Sequence, residues 1–514
     1  MDGTPEAQTD RGFFGRPLFE DPAARALSRV GVIDVGSNSV RLVVFDGAAR
    51  SPAYFYNEKV MAGLGSGMNN GGGNKLNPEG RVRALSAIRR FVSLAEGMEI
   101  PPLSATATAA VRNADDGPDF CEEVFRETGL RLQVIDGEEE ARLSAQGVLL
   151  GWPGADGLAC DIGGSSMELA RIEAGQVGDR ATSALGPLRL ESVKSGKKGR
   201  QKEIDAELER LKEVCGPHKR LYLVGGSWRA IAKLDMHRRG YPLSVLHDYR
   251  MTPKSVRATL DWVADFDLEK LRGDVGLSTA RISLVPIAGE VLRRMMSTMG
   301  TKEIYVSAYG IREGLLYEQM PERLRARDPL IEAARHSEAM NARLPGFGRV
   351  LYDFVSPLFT TGKVDARLIK TACLLHDVSW RAHPDYRAEL CFDNATRSNL
   401  GGIDHEGRVF LGLALLHRYK NSRPGTRFDD VLTLLDETQI WRAEVLGKAM
   451  RFGAMFSMAQ PERMGKLRYH PRKGSLELLL PPSSAPLYGE VAAARFASLG
   501  KALKCDTQVK LTRG

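Results

Sequence analysis

The sequence lacks any apolar stretch approaching the ~20 residues that cross a bilayer. It also lacks the basic-then-apolar order of a secretory leader, since residues 1–28 are polar and acidic ahead of Phe13, Phe14 and Phe19. The six cysteines (Cys121, Cys160, Cys215, Cys373, Cys391 and Cys505) form no C-x-x-C pair. That excludes a disulfide framework and a zinc-finger pattern and fits a reducing compartment. A cytoplasmic chain with no membrane and no nucleic acid among its partners is the expectation, with residues 1–28 a loosely ordered extension. What is present is ordinary globular material: 514 residues, 43% hydrophobic and 26% charged. A single core rarely grows past roughly 250–300 residues, so several domains are expected. The formal net charge of +8 suits a polyanionic partner without requiring one.

Two segments look alike. Residues 30–45 read as strand, Gly/Ser turn and strand, with Asp34 ending the first strand; residues 158–172 repeat this, with Asp161 in the same place. The repetition predicts two related α/β domains facing each other. Between them, residues 78–97 predict a helix with Val82, Leu85, Ile88, Phe91 and Val92 near one face. Residues 103–106 and 131–135 predict strands, and a helix is expected from Glu138. Further strands are predicted at 221–224, running into Gly225, Gly226 and a helix, and at 303–306, followed by a helix over 311–317. From Asp328 the patterning turns helical, ending in a helix over 441–458, with a strand at 476–480. The expected domains are therefore 29–141, 142–322, 323–465 and a small α/β unit at 466–514.

The twin hairpins carry the chemistry. Small turn residues let backbone N–H groups approach phosphate oxygens, and Ser37, Asn38, Ser39, Ser165 and Ser166 add side-chain donors. Asp34 and Asp161 offer hard oxygen ligands suited to magnesium. The second hairpin returns Glu168 towards Asp161. One such hairpin alone reads as a tight turn; two with matched aspartates point to phosphate. The run at 138–140 opens a helix, where acidic residues are ordinarily dipole partners. Arg112, following a strand, could grip a terminal phosphate bidentately.

Six motifs then occur in an order that resembles the exopolyphosphatase / guanosine pentaphosphate phosphatase family of the sugar kinase–heat-shock–actin superfamily. They are residues 33–39 (IDVGSNS), 107–113 (ATAAVRN), 137–142 (GEEEAR), 161–168 (DIGGSSME), 224–227 (VGGS) and 306–314 (VSAYGIREG). The resemblance covers about residues 30–320. It implies two actin-like (ribonuclease H-like) α/β domains with a cleft between them, followed by a helical HD-like domain. It assigns Glu140 as general base and Asp161 and Glu168 to magnesium or water. It gives Asn38 and Arg112, with Gly163, Gly164 and Ser166 of the phosphate loop, to phosphate contacts; Asp34 joins the metal set, and Gly226 and Ser227 the phosphate set. The family usually carries glycine and threonine where Ser165 and Met167 stand, so Met167 should face away from the site. The implied reaction is phosphoanhydride hydrolysis, with inorganic polyphosphate preferred as substrate. Guanosine penta- or tetraphosphate is a further substrate or inhibitor, and a homodimer is expected.

His336, His376, Asp377 and His405 resemble the spacing of an HD-type metal site. A working site usually needs a later aspartate, which residues 441–458 do not offer, so these residues are expected to be structural. Basic residues cluster at Lys194, Lys197, Lys198 and Arg200, at Arg418, Lys420 and Arg423, and at Arg463, Lys466, Arg468, Arg472 and Lys473. Each cluster alone reads as a solvated loop. Together they suggest an outer anion track, with Lys197, Lys198, Arg418, Lys420 and Arg423 its main members. Competing readings are a guanosine pentaphosphate 5'-phosphatase, an ATP-dependent kinase or chaperone using Gly225 and Gly226, and a non-catalytic nucleotide sensor.

Overall fold

The computed structural model describes residues 29–46, 50–68, 74–100, 103–193, 196–360, 365–423, 425–455 and 464–512. The extension at 1–28, Lys194, Met458 and Arg463 lie outside them. The described residues divide into two compact units, one within Pro22–Arg327 and one within Asp328–Gly514. No single helix among the described residues is long and apolar enough to cross a membrane.

The first unit holds two sheets. The first comprises β1 (Val30–Val35), β2 (Val40–Phe45), β3 (Tyr54–Val60), β4 (Ser104–Ala107) and β5 (Gln133–Val134), in the order β3-β2-β1-β4-β5. The second comprises β6 (Gly157–Ile162), β7 (Met167–Glu173), β8 (Gln176–Ser183), β9 (Arg220–Val224), β10 (Tyr249–Met251) and β11 (Glu303–Val306), in the order β10-β11-β9-β6-β7-β8. Apart from β10 at one edge, the two orders are the same. Each leading hairpin is antiparallel and each then pairs in parallel with the next strand, β4 or β9. The hairpin strands are buried along nearly their whole length, as central strands covered on both faces must be. Their turns close alike: Gly36 N–H donates to Ser39 C=O at 3.0 Å and Gly163 N–H to Ser166 C=O at 3.0 Å. Met167 is fully buried in the second core, turned away from the turn.

Some expectations shift. Of the expected face, the helix Pro78–Gly97 buries Leu85, Ile88 and Phe91, together with Ala84 and Ala95, but Val82 is 69% exposed and lies nearly opposite that stripe. β5 is only Gln133–Val134, both exposed at the sheet edge. The expected boundary at 141/142 falls inside the helix Gly137–Gly151.

That helix is clamped. A Cβ on Gly314, in the helix Ile311–Gln319, would overlap the Leu143 carbonyl, and one on Gly147 would overlap the backbone of Gly310. The two backbones therefore meet with no side chain between them. At the C-terminal end, fully buried Arg50 donates from Nη1 to Leu150 C=O at 2.6 Å and from Nη2 to Leu149 C=O at 3.5 Å. This satisfies carbonyls the helix leaves open.

The second unit is helical from Pro329–Asn341 through Glu437–Gly453 and ends in β12 (Lys466–His470), β13 (Ser475–Leu480) and β14 (Asp506–Leu511). β12 and β13 are antiparallel; β13 and β14 are parallel, joined by the crossover helix Glu490–Leu503. Residues 466–514 do not form a separate unit. Phe452 stacks on Phe496 with ring centroids 4.9 Å apart, and Trp441 Nε1 donates to Ala502 C=O at 2.7 Å, so this α/β element shares its core with the preceding helix.

Gly314→Ala should destabilise the first unit by about 1–3 kcal/mol, the usual cost of overpacking, read as a lowered midpoint in denaturant titration. An unchanged midpoint would show that the two helices separate freely.

Candidate active site

The helix Gly137–Gly151 sorts the three glutamates at its start. Asp136 caps it, its side chain accepting from Glu139 N–H at 2.7 Å. Glu138 is exposed. Glu139 faces outward into Arg142, which also bonds Glu318 at 2.6 Å. Glu140 turns inward and is 7% exposed. Arg112, on the short helix Ala109–Asn113 after β4, donates from Nη1 to Ile135 C=O at 2.7 Å and reaches Glu140 Oε2 at 3.4 Å.

One turn along from Glu140, and so on the same face, Ser144 donates its hydroxyl to Asp161 Oδ2. Asp161 and Glu168 are directly opposed in the β6–β7 register, as the hairpin predicts. Thr182 donates to Glu168 Oε1 at 3.1 Å, while Oε2 is buried with no hydrogen-bond partner. In the first hairpin the residue opposite Asp34 is Arg41.

These carboxyls raise one another. Burial, then the Asp161 charge, pushes Glu140 up to about 8, against the opposing pull of Arg112. Burial foremost, then Glu140 and Asp161, holds Glu168 well above the carboxylate range. Asp161 and Asp34 are raised by burial, with Arg229, Arg312 and Arg41 among the groups opposing it. Arg229 is fixed by the carbonyls of Ser307 at 2.9 Å and Ala308 at 3.1 Å.

A cleft of about 1120 Å3 adjoins this layer through Arg112 and Thr182, which line it and contact Glu140 and Glu168; the four carboxyls themselves are not among its lining residues. Of the expected phosphate residues, Ser37, Asn38, Arg112, Ser165 and Ser166 line it. Ser39, Gly163 and Gly164 belong to the same turns without lining it. Gly226 and Ser227 open the helix Gly226–Arg238 and are likewise not among its walls, Gly226 facing the Arg281 guanidinium instead. Arg189 and Arg210 also line the cleft, and sequence reasoning missed both. Arg210 donates to Thr182 C=O at 2.6 Å, steadying the residue that holds Glu168. Ser144 was legible in principle, as the residue four beyond Glu140. Arg312 lay inside a quoted motif without a role; Thr182 and Arg189 gave no signal.

The donor set fits magnesium. The oxygens are hard, and Glu168 Oε2 is an unsatisfied buried acceptor. Among the described residues no three acidic, histidine or cysteine side chains converge as a cage, so Asp34, Asp161 and Glu168 do not form the expected three-carboxylate set. Asp34 is a register partner of Arg41 and lies on the other sheet. Magnesium commonly takes one or two carboxylates and completes its shell with water and substrate phosphates.

Of the outer track, Lys197, Lys198 and Arg423 are exposed, and Lys420 lies 3.8 Å from Glu389. Arg418 is a correction: it is 9% exposed, over the Tyr419 ring at 4.8 Å, because its helix His405–Tyr419 is buried on nearly all sides. Asp377 is held by Arg343 through bonds of 2.8 and 2.6 Å, and His376 Nδ1 meets Cys373 C=O at 2.8 Å.

Residues 43–323 match the Ppx/GppA phosphatase family, and residues 330–508 match the family described as Exopolyphosphatase, C-terminal. Retrograde regulation protein 2 of Saccharomyces cerevisiae is 24% identical over 437 residues, 77% of this chain and 73% of that protein. Exopolyphosphatase 1 of Mycobacterium tuberculosis is 36% identical over 145 residues, 28% of this chain and 42% of that protein, so this match spans less than half of the relative. An exopolyphosphatase crystal structure from Cytophaga hutchinsonii aligns with TM-score 0.51 at 22% identity, over 57% of this chain and 97% of the other, an agreement of fold.

Glu140 binds its proton more tightly folded than unfolded, so it contributes stability below its unfolded value near 4.5 that is lost as pH rises towards about 8. In magnesium-free buffer, stability should fall across that window by up to about 1.4 kcal/mol per pH unit from this group. Glu140→Gln should flatten the slope and melt higher than the parent at pH 8. Identical slopes would contradict the assignment.

Proposed function

The chain belongs to the Ppx/GppA phosphatase family and is a phosphoanhydride hydrolase, and from that premise we propose that it removes terminal phosphates from inorganic polyphosphate. The observation that carries the choice of substrate is the cleft wall. Among the described residues it holds hydroxyls, small residues, amides, Met68 and Leu188, the acids Glu191 and Glu207, and the arginines Arg112, Arg189 and Arg210, of which Arg189 pairs with Glu203 and Arg210 with Glu207, with no aromatic ring. A guanine base gains binding energy from a stacking ring; a chain of phosphates needs only donors and positive charge.

In this reading Arg112 and the turn donors at Ser37, Asn38, Ser165 and Ser166 grip the terminal phosphoryl group. Glu140 accepts the proton of the attacking water. A raised pKa suits that role, since a general base works best with its pKa near the operating pH. Ser144 fixes the Asp161 carboxylate, and Thr182 fixes Glu168, so both keep their orientation when the cleft fills. Asp161 and Glu168 would hold magnesium, which when bound supplies positive charge against the phosphoryl oxygens.

The name Retrograde regulation protein 2 belongs to a regulatory relative, which favours keeping the sensor reading as the second. Against it stand Glu140, Asp161 and Glu168, all present and buried or half-buried at one site. The helical unit is read as HD-like, with Arg343 occupying the Asp377 carboxylate that a metal would need.

Glu140→Gln should lower kcat at least ~10²-fold, as expected for loss of a general base, with substrate binding kept; near-normal turnover would refute the role. EDTA should abolish phosphate release and magnesium restore it. Side by side, polyphosphate should be the better substrate by kcat/KM. A clear preference for guanosine pentaphosphate would overturn the substrate choice while leaving the chemistry standing.

A further inference from the structure

The second unit gathers positive charge around one pocket. A pocket of about 260 Å3 is lined by Lys448, Arg451, Arg495, Ser498 and Asn421, with Val491 and Ala494 as its apolar wall. Lys448 and Arg451 stand one turn apart on the helix Glu437–Gly453. Residues 491, 494, 495 and 498 are spaced to share one face of the helix Glu490–Leu503. The Phe452–Phe496 stack locks the two helices together, so the cations on the facing sides cannot splay apart.

Lys448 has a partner, Glu444, at 2.6 Å. The arginines do not. Arg451 Nη1 and Arg495 Nε are buried without a hydrogen-bond partner, as is Nε of Arg418 on the neighbouring helix. Burial lowers Arg451 to about 10, and the charges of Arg495 and Arg418 add to the effect. Arg451 and Arg495 are each half-buried, and no carboxylate lines this pocket among the described residues. Their forked N–H donors match the edge of a phosphate. The volume is below the roughly 300–1,000 Å3 of sites for drug-sized ligands. At ~30 Å3 per water it holds about eight waters, room for a phosphate group and part of its hydration but not for a nucleoside.

We propose that this pocket is a second oxyanion site that takes one phosphate group, supplied either as free orthophosphate or as a unit of a condensed-phosphate chain. Arg451 and Arg495 grip it, Lys448 adds charge, and Ser498 and Asn421, joined by a 2.7 Å hydrogen bond, supply neutral donors. The site lies wholly within residues 421–498 and stands whatever the catalytic cleft hydrolyses.

The test is calorimetric titration of the full chain in EDTA, where turnover is stopped, with orthophosphate and separately with tripolyphosphate. The parent should bind one more equivalent of at least one of these ligands than the double variant Arg451→Gln/Arg495→Gln, or bind it at least tenfold more tightly. Melting of the unliganded double variant should be unchanged or raised, since repulsion is relieved, and its rate on tripolyphosphate with magnesium should stay within twofold of the parent. Binding of orthophosphate identifies the free ion as the source; binding of tripolyphosphate alone identifies the chain. If the double variant unfolds, Arg495→Lys should retain binding and Ser498→Ala should weaken it. Equal stoichiometry and affinity in parent and double variant, or in parent and Ser498→Ala where the double variant unfolds, overturns the proposal. Loss of the site with hydrolysis intact, or failure of hydrolysis with the site retained, separates this inference from the reading of the cleft.

Discussion

Four carboxyl groups are buried near enough to feel one another's charge, and the architecture of residues 29–327 is largely the means of keeping them there. Asp34, Glu140, Asp161 and Glu168 each raise or are raised by at least one of the others. Left alone, like charges so close would separate or take up protons. They are held by backbone rather than by attraction. β1 and β6 carry their aspartates one residue before their ends, β7 carries Glu168 opposite Asp161, and the close approaches of Gly147 to Gly310 and of Gly314 to Leu143 hold the Glu140 helix in place. The positive charge of Arg112, Arg229 and Arg312 offsets only part of the cost. The remaining deficit is what a divalent cation would meet.

The two halves are alike in topology and unlike in charge. Each sheet starts with the same hairpin closed by the same turn bond, but Arg41 stands opposite Asp34 where Glu168 stands opposite Asp161. Burial and the neighbouring Arg312 lower Arg41, so the first hairpin presents a cation beside its aspartate and the second a pair of acids. A duplicated scaffold has thus acquired one side suited to anions and one suited to a cation, as phosphoryl transfer assisted by a metal requires. The hydroxyls of Ser144 and Thr182 belong to the second side and fix its acids without adding charge.

Much of this was legible because the signals are local. The matched aspartates, the Gly/Ser turns and the strand at 303–306 follow from short-range pattern, and the helix Pro78–Gly97 was read to its ends. The choice of Glu140 among three consecutive glutamates was not local. It came from resemblance; in the structure Arg142 draws Glu139 outward while Arg112 meets Glu140. Thr182, Arg189 and Arg210 were invisible because they reach the cleft from β8 and two separate helices, a convergence set by tertiary packing. Arg418 was misread for the complementary reason. A basic run reads as a solvated face, but its helix is buried almost all round, and charge in sequence says nothing about which side of a helix meets water. Helix packing likewise brings half-buried Arg451 and Arg495 to one pocket, which no charge count along the chain could reveal.

The central claim is that the carboxyls under the cleft are partly protonated in the free protein and ionise when cation and phosphate arrive. Proton release measures this directly. Binding of magnesium with a non-hydrolysable polyphosphate analogue, titrated at pH 7 in buffers of differing ionisation enthalpy, should liberate close to one proton or more per chain, the count falling as pH rises past about 8, the value for Glu140. Binding with no proton exchanged across that range would mean the acids are already charged, and the account of how this site is held and used would fail.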